Sequence, residues 1–269
     1  MKYSACLEML FQGDPIDRQI ERAKACGFDA VEFWVWQNKD LEKARQALAR
    51  TGLELAIFQG NIDGNMVDPL DNDIYVAGVQ KTMETARKLG VKHLFIMANA
   101  MNPDRTVKKP ANPMTAEQML DNVKTVLLRL KPIAEANGIM LVLEPLNTKQ
   151  GYRHSYNLCE NYFLDHMDPA VQVVREVNSP MIKVLYDFYQ MGVMEGNIIN
   201  TLRNCNDAVG YIHIGDVPER YQPGTGELNY PNIFKVLREV GYDGYVGFEF
   251  ECLGSSDESV IKDVMKLLG

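Results

Sequence analysis

The stretch that decides the fold is IMLVLEP, residues 139–145, an almost uninterrupted apolar run that carries Glu144 near its end. Asn137 and Gly138 stand before this run, and Pro145 closes it. An apolar run of this length between turn residues is typical of a parallel β-strand that is buried on both faces. A carboxylate at the end of such a strand is either a structural error or a working group.

Three later stretches repeat this design, each an apolar run with a polar side chain at or near its end. They are MIKVLYD (181–187) with Asp187, VGYIHIG (209–215) with His213, and YVGFEF (245–250) with Glu249. If these strands lie side by side and parallel, their last side chains meet at one rim. Carboxylate oxygens and an imidazole nitrogen suit a divalent metal such as Mn, Co, Zn or Mg.

Each of these four residues has an ordinary alternative role when it is taken alone, such as a loop cap, a partner for lysine or a satisfied core histidine. A buried cluster of three carboxylates, however, is tolerable only with a cation or a proton between them. Taken together, the four residues therefore predict a single metal site.

The rest of the chain alternates strictly between predicted strands and predicted helices, without a composition shift or a linker. The other predicted strands are residues 2–7, 28–35, 53–58 and 91–97, and helices at about 158–177 and 195–205 are among those predicted between strands. This alternation predicts one (β/α)8 TIM barrel over residues 1–269, with its chemistry at the C-terminal ends of the strands. A doubly wound sheet is the alternative, but its first strand–helix turn would be rich in glycine, and residues 7–15 hold only Gly13.

Composition limits the partners that we expect. The chain has 28 Lys+Arg against 36 Asp+Glu, a net charge of -8, and no long basic run, which argues against nucleic acid as a partner. No apolar stretch approaches the roughly 20 residues that span a bilayer, and the N-terminus does not resemble a signal peptide. The five scattered cysteines contain no C-x-x-C pair, which favours reduced core residues and a cytoplasmic protein.

Five stretches carry a family resemblance that extends over nearly the whole chain. They are FDAVEFW (28–34), IMLVLEPLN (139–147), VLYDFYQM (184–191), YIHIGDVPERYQPGTGELNY (211–230), which is the most specific, and YVGFEFE (245–251). These stretches resemble the hydroxypyruvate isomerase branch of the xylose-isomerase-like TIM barrels. That superfamily also contains ketose 3-epimerases, inosose dehydratases and endonuclease IV.

The resemblance implies one divalent metal held by Glu144, Asp187, His213 and Glu249, with Glu144 and Glu249 also serving as an acid/base pair. A metal that is chelated by a carbonyl and its neighbouring hydroxyl acidifies the C–H between them. Two flanking carboxylates can then remove and return that proton through a cis-enediolate. The expected function is a metal-dependent isomerase or epimerase of a small hydroxy-carbonyl compound, either hydroxypyruvate or a ketose.

Some positions depart from the family pattern or are weaker candidates. Gln190 stands where relatives often have histidine, and His213 stands where hydroxypyruvate isomerases tend to have glutamine, which favours the ketose epimerases. Arg220 resembles a substrate-binding arginine that suits a carboxylate or a hydroxyl pair, with a solvated loop arginine as the alternative. Asn147 is a candidate for substrate binding or for a turn after Pro145.

Aromatic and histidine side chains supply further candidates. Trp34, Trp36 and Phe58 are expected near a sugar-sized pocket, although core packing is an alternative role for at least one of the tryptophans. His93 and His154 are candidates for substrate contact, with a structural role as the alternative for each.

Other functions stay open at this point. An inosose-type dehydratase would use the same metal and base to expel a β-hydroxyl, whereas an endonuclease IV-like enzyme would need several histidines for three zinc ions. A binding protein without turnover is a third alternative. The long loops at residues 98–114 and 146–157 are predicted to be lid or dimer contacts over the catalytic rim, and the resemblance implies a homo-oligomer.

Overall fold

The computed structural model of the protein describes residues 1–102, 104, 106–150 and 159–269. Its strands are β1 (Lys2–Cys6), β2 (Ala30–Glu32), β3 (Glu54–Leu55), β4 (Ile57–Gln59), β5 (His93–Met97), β6 (Met140–Glu144), β7 (Ile182–Asp187), β8 (Val209–Ile214) and β9 (Tyr245–Phe248). Its helices are α1 (Ile16–Ala25), α2 (Leu41–Thr51), α3 (Asn72–Leu89), α4 (Ala116–Asn137), α5 (Met167–Val177), α6 (Phe188–Met194), α7 (Ile198–Cys205), α8 (Tyr230–Glu239) and α9 (Asp257–Leu268). Among the described helices, none is long and apolar enough to cross a membrane.

The strands form one parallel sheet in the order β3-β2-β1-β9-β8-β7-β6-β5-β4. The first and last members of this order are two halves of one strand, separated only by Ala56. The first half pairs with β2 and the second with β5, and the backbone N–H of Ala56 donates to Val31 O at 2.8 Å. The split strand therefore closes the sheet into a ring of eight strands, and the predicted (β/α)8 TIM barrel is confirmed.

Local sequence signals fix where several helices begin and end. Thr115 caps α4 in a reciprocal capping box with Gln118. Asp40 caps α2 by accepting a hydrogen bond from the Lys43 backbone. At the other end of α4, Gly138 adopts a left-handed conformation with φ of 60°, which glycine accepts without a steric penalty. The helix therefore stops one residue before the apolar run that forms β6.

Two apolar layers hold the barrel together. The larger cluster includes residues from the helices and from one face of the strands, such as Leu141 and Leu143 of β6. The smaller cluster comprises Ala30, Ala56, Ile57, Phe95, Val142, Leu185 and Tyr211. Because alternate residues of one strand belong to different clusters, the smaller cluster is the packed interior of the barrel.

One helix was missed, and two predicted boundaries were wrong. The predicted helix 195–205 is preceded by another helix, α6, which begins directly after Asp187 because the carboxylate of Asp187 accepts hydrogen bonds from the first backbone N–H groups. The predicted helix 158–177 begins only at Met167 in the described chain, after a stretch of turns. The second strand ends at Glu32 instead of at residue 35.

Candidate active site

The pleat of the strands decides which side chains point into the barrel. Successive side chains of a strand point to opposite faces, so residues two positions apart share a face. This two-residue step leads from interior residues to candidate ligands, from Val142 to Glu144, from Leu185 to Asp187 and from Tyr211 to His213. Glu249 directly follows the last residue of β9. The apolar interior therefore ends in a polar layer at the C-terminal rim.

The structure brings the four predicted metal ligands together in this layer. One potential ligand atom from each of Glu144, Asp187, His213 and Glu249 lies within 4.8 Å of the others, and all four residues are buried. Removing three carboxylates from water at such short distances is unfavourable unless protons or cations compensate their charge. The cluster is thus arranged to bind protons, a cation or both.

The carboxyl groups of the cluster hold protons to different extents. Burial, together with the negative charge of Glu249, raises the pKa of Glu144 to about 8, and burial raises the pKa of Asp187 to about 6. Burial acts in the same direction on Glu249, but Arg220 and His213 outweigh it and hold the pKa of Glu249 well below its usual range. At neutral pH Glu144 is therefore an acid beside an ionised Glu249, a division of protonation states that suits acid/base chemistry.

His213 lies at the centre of the cluster. Its Nδ1 is 2.9 Å from Oε2 of Glu249 and 4.0 Å from Oε1 of Glu144, and its Nε2 is 2.9 Å from Oε1 of Glu32. Within the described part of the chain, neither ring nitrogen makes a hydrogen bond of normal angle. A buried nitrogen without such a bond, facing carboxylate oxygens, fits the ligand set of a divalent cation.

The protonation of this cluster predicts how the metal-free protein responds to pH. The unfolded chain releases the proton of Glu144 near pH 4.5, whereas the folded protein keeps it up to about pH 8. Folding therefore loses stability as pH rises through this interval. Burial also raises the pKa of Asp187. Burial lowers the pKa of His213, but Glu249 and Glu32 outweigh it and raise that pKa. Both shifts likewise make the folded protein less stable as pH rises.

For the metal-free protein in buffer that contains a chelator, we expect the Tm to fall by at least about 3 °C between pH 6 and pH 8. The Glu144→Gln variant should show a shallower decrease, measured by calorimetry in the same buffers. A Tm that rises over this range would contradict the assigned protonation states.

Arg220 reaches the cluster from the loop that follows β8. Its Nη2 donates to Oδ2 of Asp187 at 3.1 Å and to the carboxylate of Glu249, and its Nε donates to the backbone oxygen of Glu249 at 3.2 Å. The guanidinium also lies over the ring of Tyr189, 4.9 Å from its centroid. The predicted substrate-binding arginine is therefore buried within the site, and the alternative of a solvated loop residue does not hold.

Asp216 organises the loop that carries Arg220, a role that the sequence analysis missed. Its buried carboxylate accepts hydrogen bonds from four backbone N–H groups, those of Val217, Gly224, Gly226 and Leu228. Its backbone oxygen accepts a bond from the N–H of Arg220 at 2.9 Å, where the chain has an unusual φ of 59°. The loop conformation that presents Arg220 thus depends on one carboxylate.

Gln190 and Asn147, the other two predicted substrate residues, lie against each other. The backbone N–H of Asn147 donates to Oε1 of Gln190 at 3.0 Å, and the side-chain amide of Asn147 donates to the same oxygen. Asn147 also accepts a bond from the N–H of Gln150, as a turn residue would. Because Oε1 of Gln190 already accepts two hydrogen bonds, the side chain can contribute its Nε2 group as a hydrogen-bond donor to a substrate.

The aromatic candidates have different locations. Trp34 lies at the site, since its Nε1 donates to Oε1 of Glu249. Trp36 packs against the larger core cluster. Phe58 is fully buried and stacks on Phe33 with a centroid distance of 5.6 Å. Phe58 therefore belongs to the core, and its prediction as a pocket wall was wrong because it lies on the face of the strand that meets the helices.

The additional histidines do not join His213 in the described structure. His93 is the first residue of β5, at the opposite end of the barrel, where its ring contacts Tyr211 and Tyr245. His93 therefore has a structural role, which was the alternative to substrate contact. His166 lies at the N-terminus of α5, with its ring beside Asp165. His154 lies outside the described residues.

Comparison with known proteins shows the family of the chain. The sequence model of the family described as "Xylose isomerase-like TIM barrel" matches residues 20–268. The chain belongs to this family. The prediction of that family from the sequence is therefore confirmed.

Named relatives and a solved structure resemble the chain over most of its length. It is 29% identical to hydroxypyruvate isomerase of Escherichia coli over 93% of both chains. It is 27% identical to 2-oxo-tetronate isomerase of Cupriavidus necator over 93% of this chain and 92% of the relative. A crystal structure named as an AP endonuclease of family 2 from Brucella melitensis superposes with a TM-score of 0.85, at 25% identity over 98% of both chains.

Proposed function

We propose that the protein is a metal-dependent isomerase or epimerase of a small hydroxy-carbonyl compound. The observation that carries this proposal is the buried cluster of Glu144, Asp187, His213 and Glu249 at the C-terminal rim, with ligand atoms within 4.8 Å of one another. The two relatives named above as isomerases support the reaction type. Both of their substrates, by name, are 2-oxo acids.

Glu144, Asp187, His213 and Glu249 would hold one divalent ion, with Mn, Co, Mg and Zn as candidates. When bound, such an ion would polarise the substrate carbonyl and so acidify the neighbouring C–H. The buried Nδ1 of His213, which faces carboxylate oxygens without a hydrogen bond of normal angle, supports this assignment. A cation would also compensate the charge of the three carboxylates, a task that Arg220 and His213 carry out in part.

Glu144 and Glu249 would transfer the proton. Glu249 would act as the base because Arg220 and His213 keep it ionised at neutral pH, and Glu144 would act as the acid because its pKa of about 8 keeps it protonated there. One carboxylate removes the proton next to the carbonyl to give a cis-enediolate, and a proton is then returned to the adjacent carbon or to the opposite face. Return to the adjacent carbon gives an isomer, and return to the opposite face gives an epimer.

Substrate oxygens would bind to Arg220 and Gln190, which are buried donors beside the cluster. A bound cation would compete with Arg220 for Asp187 and Glu249, and so the guanidinium would become available to a substrate carboxylate. Asn147 would orient the side chain of Gln190, because two of its N–H groups donate hydrogen bonds to Oε1 of Gln190. We propose a 2-oxo acid with a neighbouring hydroxyl as the substrate class, because two donors then face an anion.

The endonuclease alternative needs further histidines at the rim. Among the described residues, His213 is the one histidine in the cluster, and His93 lies at the other end of the barrel. The net charge of -8 also disfavours contact with a phosphate backbone. We propose that the protein does not act on nucleic acid.

The test of the proposed function is hydrogen exchange. Proton NMR in D2O would follow deuterium entering the carbon next to the carbonyl of hydroxypyruvate, 2-oxo-tetronate and a panel of ketoses, with Mg or Co present. Metal-dependent exchange in one of these compounds is the expected result. Loss of water from a substrate in place of exchange would favour the dehydratase, and no reaction with any compound would count against the proposed substrate class.

Gln190 offers a separate test of substrate orientation. The Gln190→Glu variant keeps an oxygen for Asn147 but replaces the Nε2 donor by a carboxylate oxygen. We expect the KM for an anionic substrate to rise about 10-fold or more, since a hydrogen bond to a charged group contributes roughly 1.5–3 kcal/mol. Gln222→Glu is the matched control, because Gln222 bonds to the Leu253 backbone instead of to the site. An unchanged KM for Gln190→Glu would remove Gln190 from the substrate site.

We also propose one domain over residues 1–269, a cytoplasmic location, and a homo-oligomer. The five free cysteines agree with a reducing compartment.

The loops at residues 98–114 and 146–157 follow β5 and β6 at the rim, and we propose that they are lid or dimer contacts. Part of each loop lies outside the described residues. Hydrogen exchange of these loops that is unchanged by metal and substrate would count against a lid.

A further inference from the structure

Glu32 is a buried carboxylate that the proposed chemistry does not use. It is the last residue of β2 and is only 2% exposed. Its Oε1 lies 2.9 Å from Nε2 of His213, on the side of the imidazole away from Glu144 and Glu249. A carboxylate in this position receives the ring proton of a histidine whose other nitrogen binds a ligand.

The position of Glu32 is fixed from a second side. The hydroxyl of Tyr211 donates to Oε2 of Glu32 at 2.6 Å. Tyr211 is itself fully buried in the barrel interior and packs edge-on against His213, with a centroid distance of 5.4 Å. The same tyrosine therefore supports both partners of the Glu32–His213 contact.

Gly247 supplies an independent observation. A Cβ at this position would lie 2.6 Å from both carboxylate oxygens of Glu32 and 2.6 Å from Cδ2 of His213. The strand that carries Glu249 thus leaves room for the Glu32–His213 contact.

We propose that Glu32 is a positioning residue that holds His213 with its proton on Nε2 and directs Nδ1 to the metal. This inference rests on the proposed metal-dependent function. The contact has the distance of a hydrogen bond but not its angle in this structure, and catalytic hydrogen bonds often tighten only in the complete complex. Glu32 touches neither metal nor substrate, and acts through His213.

The test is the metal affinity of the stripped protein, measured by calorimetric titration with Mn2+. Glu32→Met removes the acceptor at similar volume, and we expect the dissociation constant to rise about 10- to 100-fold. Glu32→Gln keeps an oxygen that can accept from Nε2, and should recover part of the loss. Tyr211→Phe should give a smaller loss than Glu32→Met.

Glu54 provides a matched control. Its carboxylate also accepts a hydrogen bond from a tyrosine hydroxyl, that of Tyr245, but it belongs to β3 at the opposite end of the barrel and also pairs with Lys2. Glu54→Gln and Glu54→Met should leave the Mn2+ affinity unchanged. If the Glu54 variants lost as much Mn2+ affinity as the Glu32 variants, the loss would reflect reduced protein stability alone, and the proposal would be overturned.

A spectroscopic measurement separates positioning from a purely structural role. In the Zn2+-loaded protein with 15N-labelled histidine, ring correlation spectra should show the proton of His213 on Nε2. A proton on Nδ1 would overturn the proposal. If Glu32→Met does not fold, Glu32→Gln, Tyr211→Phe and these spectra still decide the question.

The possible failures are distinguishable. If the wild type binds Mn2+ and Glu32→Met binds it equally tightly, the role of Glu32 is wrong and the metal site stands. If the wild type binds no divalent ion at millimolar concentration, the metal-dependent function is wrong, and the role of Glu32 fails with it.

Discussion

Glutamine in place of Glu144 or of Glu249 should lower the rate of deuterium exchange about 10³-fold, because general acid–base transfer contributes roughly 10²- to 10⁴-fold. An amide of the same shape cannot accept or return a proton. Burial and different neighbours give Glu144 a pKa of about 8 and Glu249 a pKa well below its usual range. Loss of either group therefore removes one half of an acid/base pair.

The measurement must separate proton transfer from metal binding, since both residues are also proposed ligands. Rates are therefore compared at metal concentrations that saturate each variant, as determined by titration. Glu54→Gln serves as the control for a glutamate far from the rim. Nearly wild-type exchange in either metal-saturated variant would show that the residue is a ligand only, and the acid/base assignment would then be wrong for it.

The two variants should also differ from each other in their dependence on pH. Glu249 is ionised across the neutral range, so its loss removes the base at every pH in that range. Glu144 holds its proton below about pH 8 in the metal-free cluster. A bound cation would favour the ionised form of Glu144. The comparison of pH profiles therefore also reports how far the cation lowers the pKa of Glu144.

The sequence was sufficient for the ring of strands and for the four-residue cluster because both follow from strand periodicity. An apolar run that ends in Glu144 or Asp187 places the charged group where a buried strand leaves the core. The same reasoning located His213 and Glu249. It needed no knowledge of pairing between distant segments, since parallel strands present their C-terminal ends at one rim.

Pairing between distant side chains could not be predicted in this way. Glu32 and His213 are 181 positions apart in the chain, and FDAVEFW does not show which distant residue Glu32 contacts. Its signal was the two-residue step from Ala30, which places it inside the barrel. The predicted strand 28–35 includes this step, but the step does not identify His213 as the partner of Glu32.

Helix α6 shows a second limit of sequence patterns. Phe188 and Met191 give an apolar pattern that is too short to mark a helix of seven residues. The deciding interaction is the capping of this helix by Asp187, which accepts bonds from the N–H groups of Tyr189 and Gln190. Asp187 was interpreted as a metal ligand, with a loop cap as its alternative role. Its Oδ1 caps this helix, and its Oδ2 accepts a hydrogen bond from Arg220.

Removal of divalent metal should abolish exchange and lower the Tm, and return of the metal should restore both. The physical reason is the composition of the cluster, in which three buried carboxylates share Arg220 and His213 as their cationic partners. A divalent ion at about 100 times its dissociation constant stabilises the folded state by about 2.7 kcal/mol. For a chain of 269 residues, this corresponds to a Tm increase of about 5 °C.

The gain should depend on pH with a definite sign. Binding needs Glu144 ionised, and its pKa of about 8 in the metal-free protein means that an ion must displace a proton at lower pH. The increase in Tm on adding Mn2+ to the stripped protein should therefore be larger at pH 8 than at pH 6. Asp187→Asn should lose most of the gain at both values, whereas Glu54→Gln should keep it. Equal Tm values with and without Mn2+, Co2+, Mg2+ and Zn2+ would mean that the cluster binds none of these ions and is balanced by protons and Arg220, which would contradict the proposed metal site.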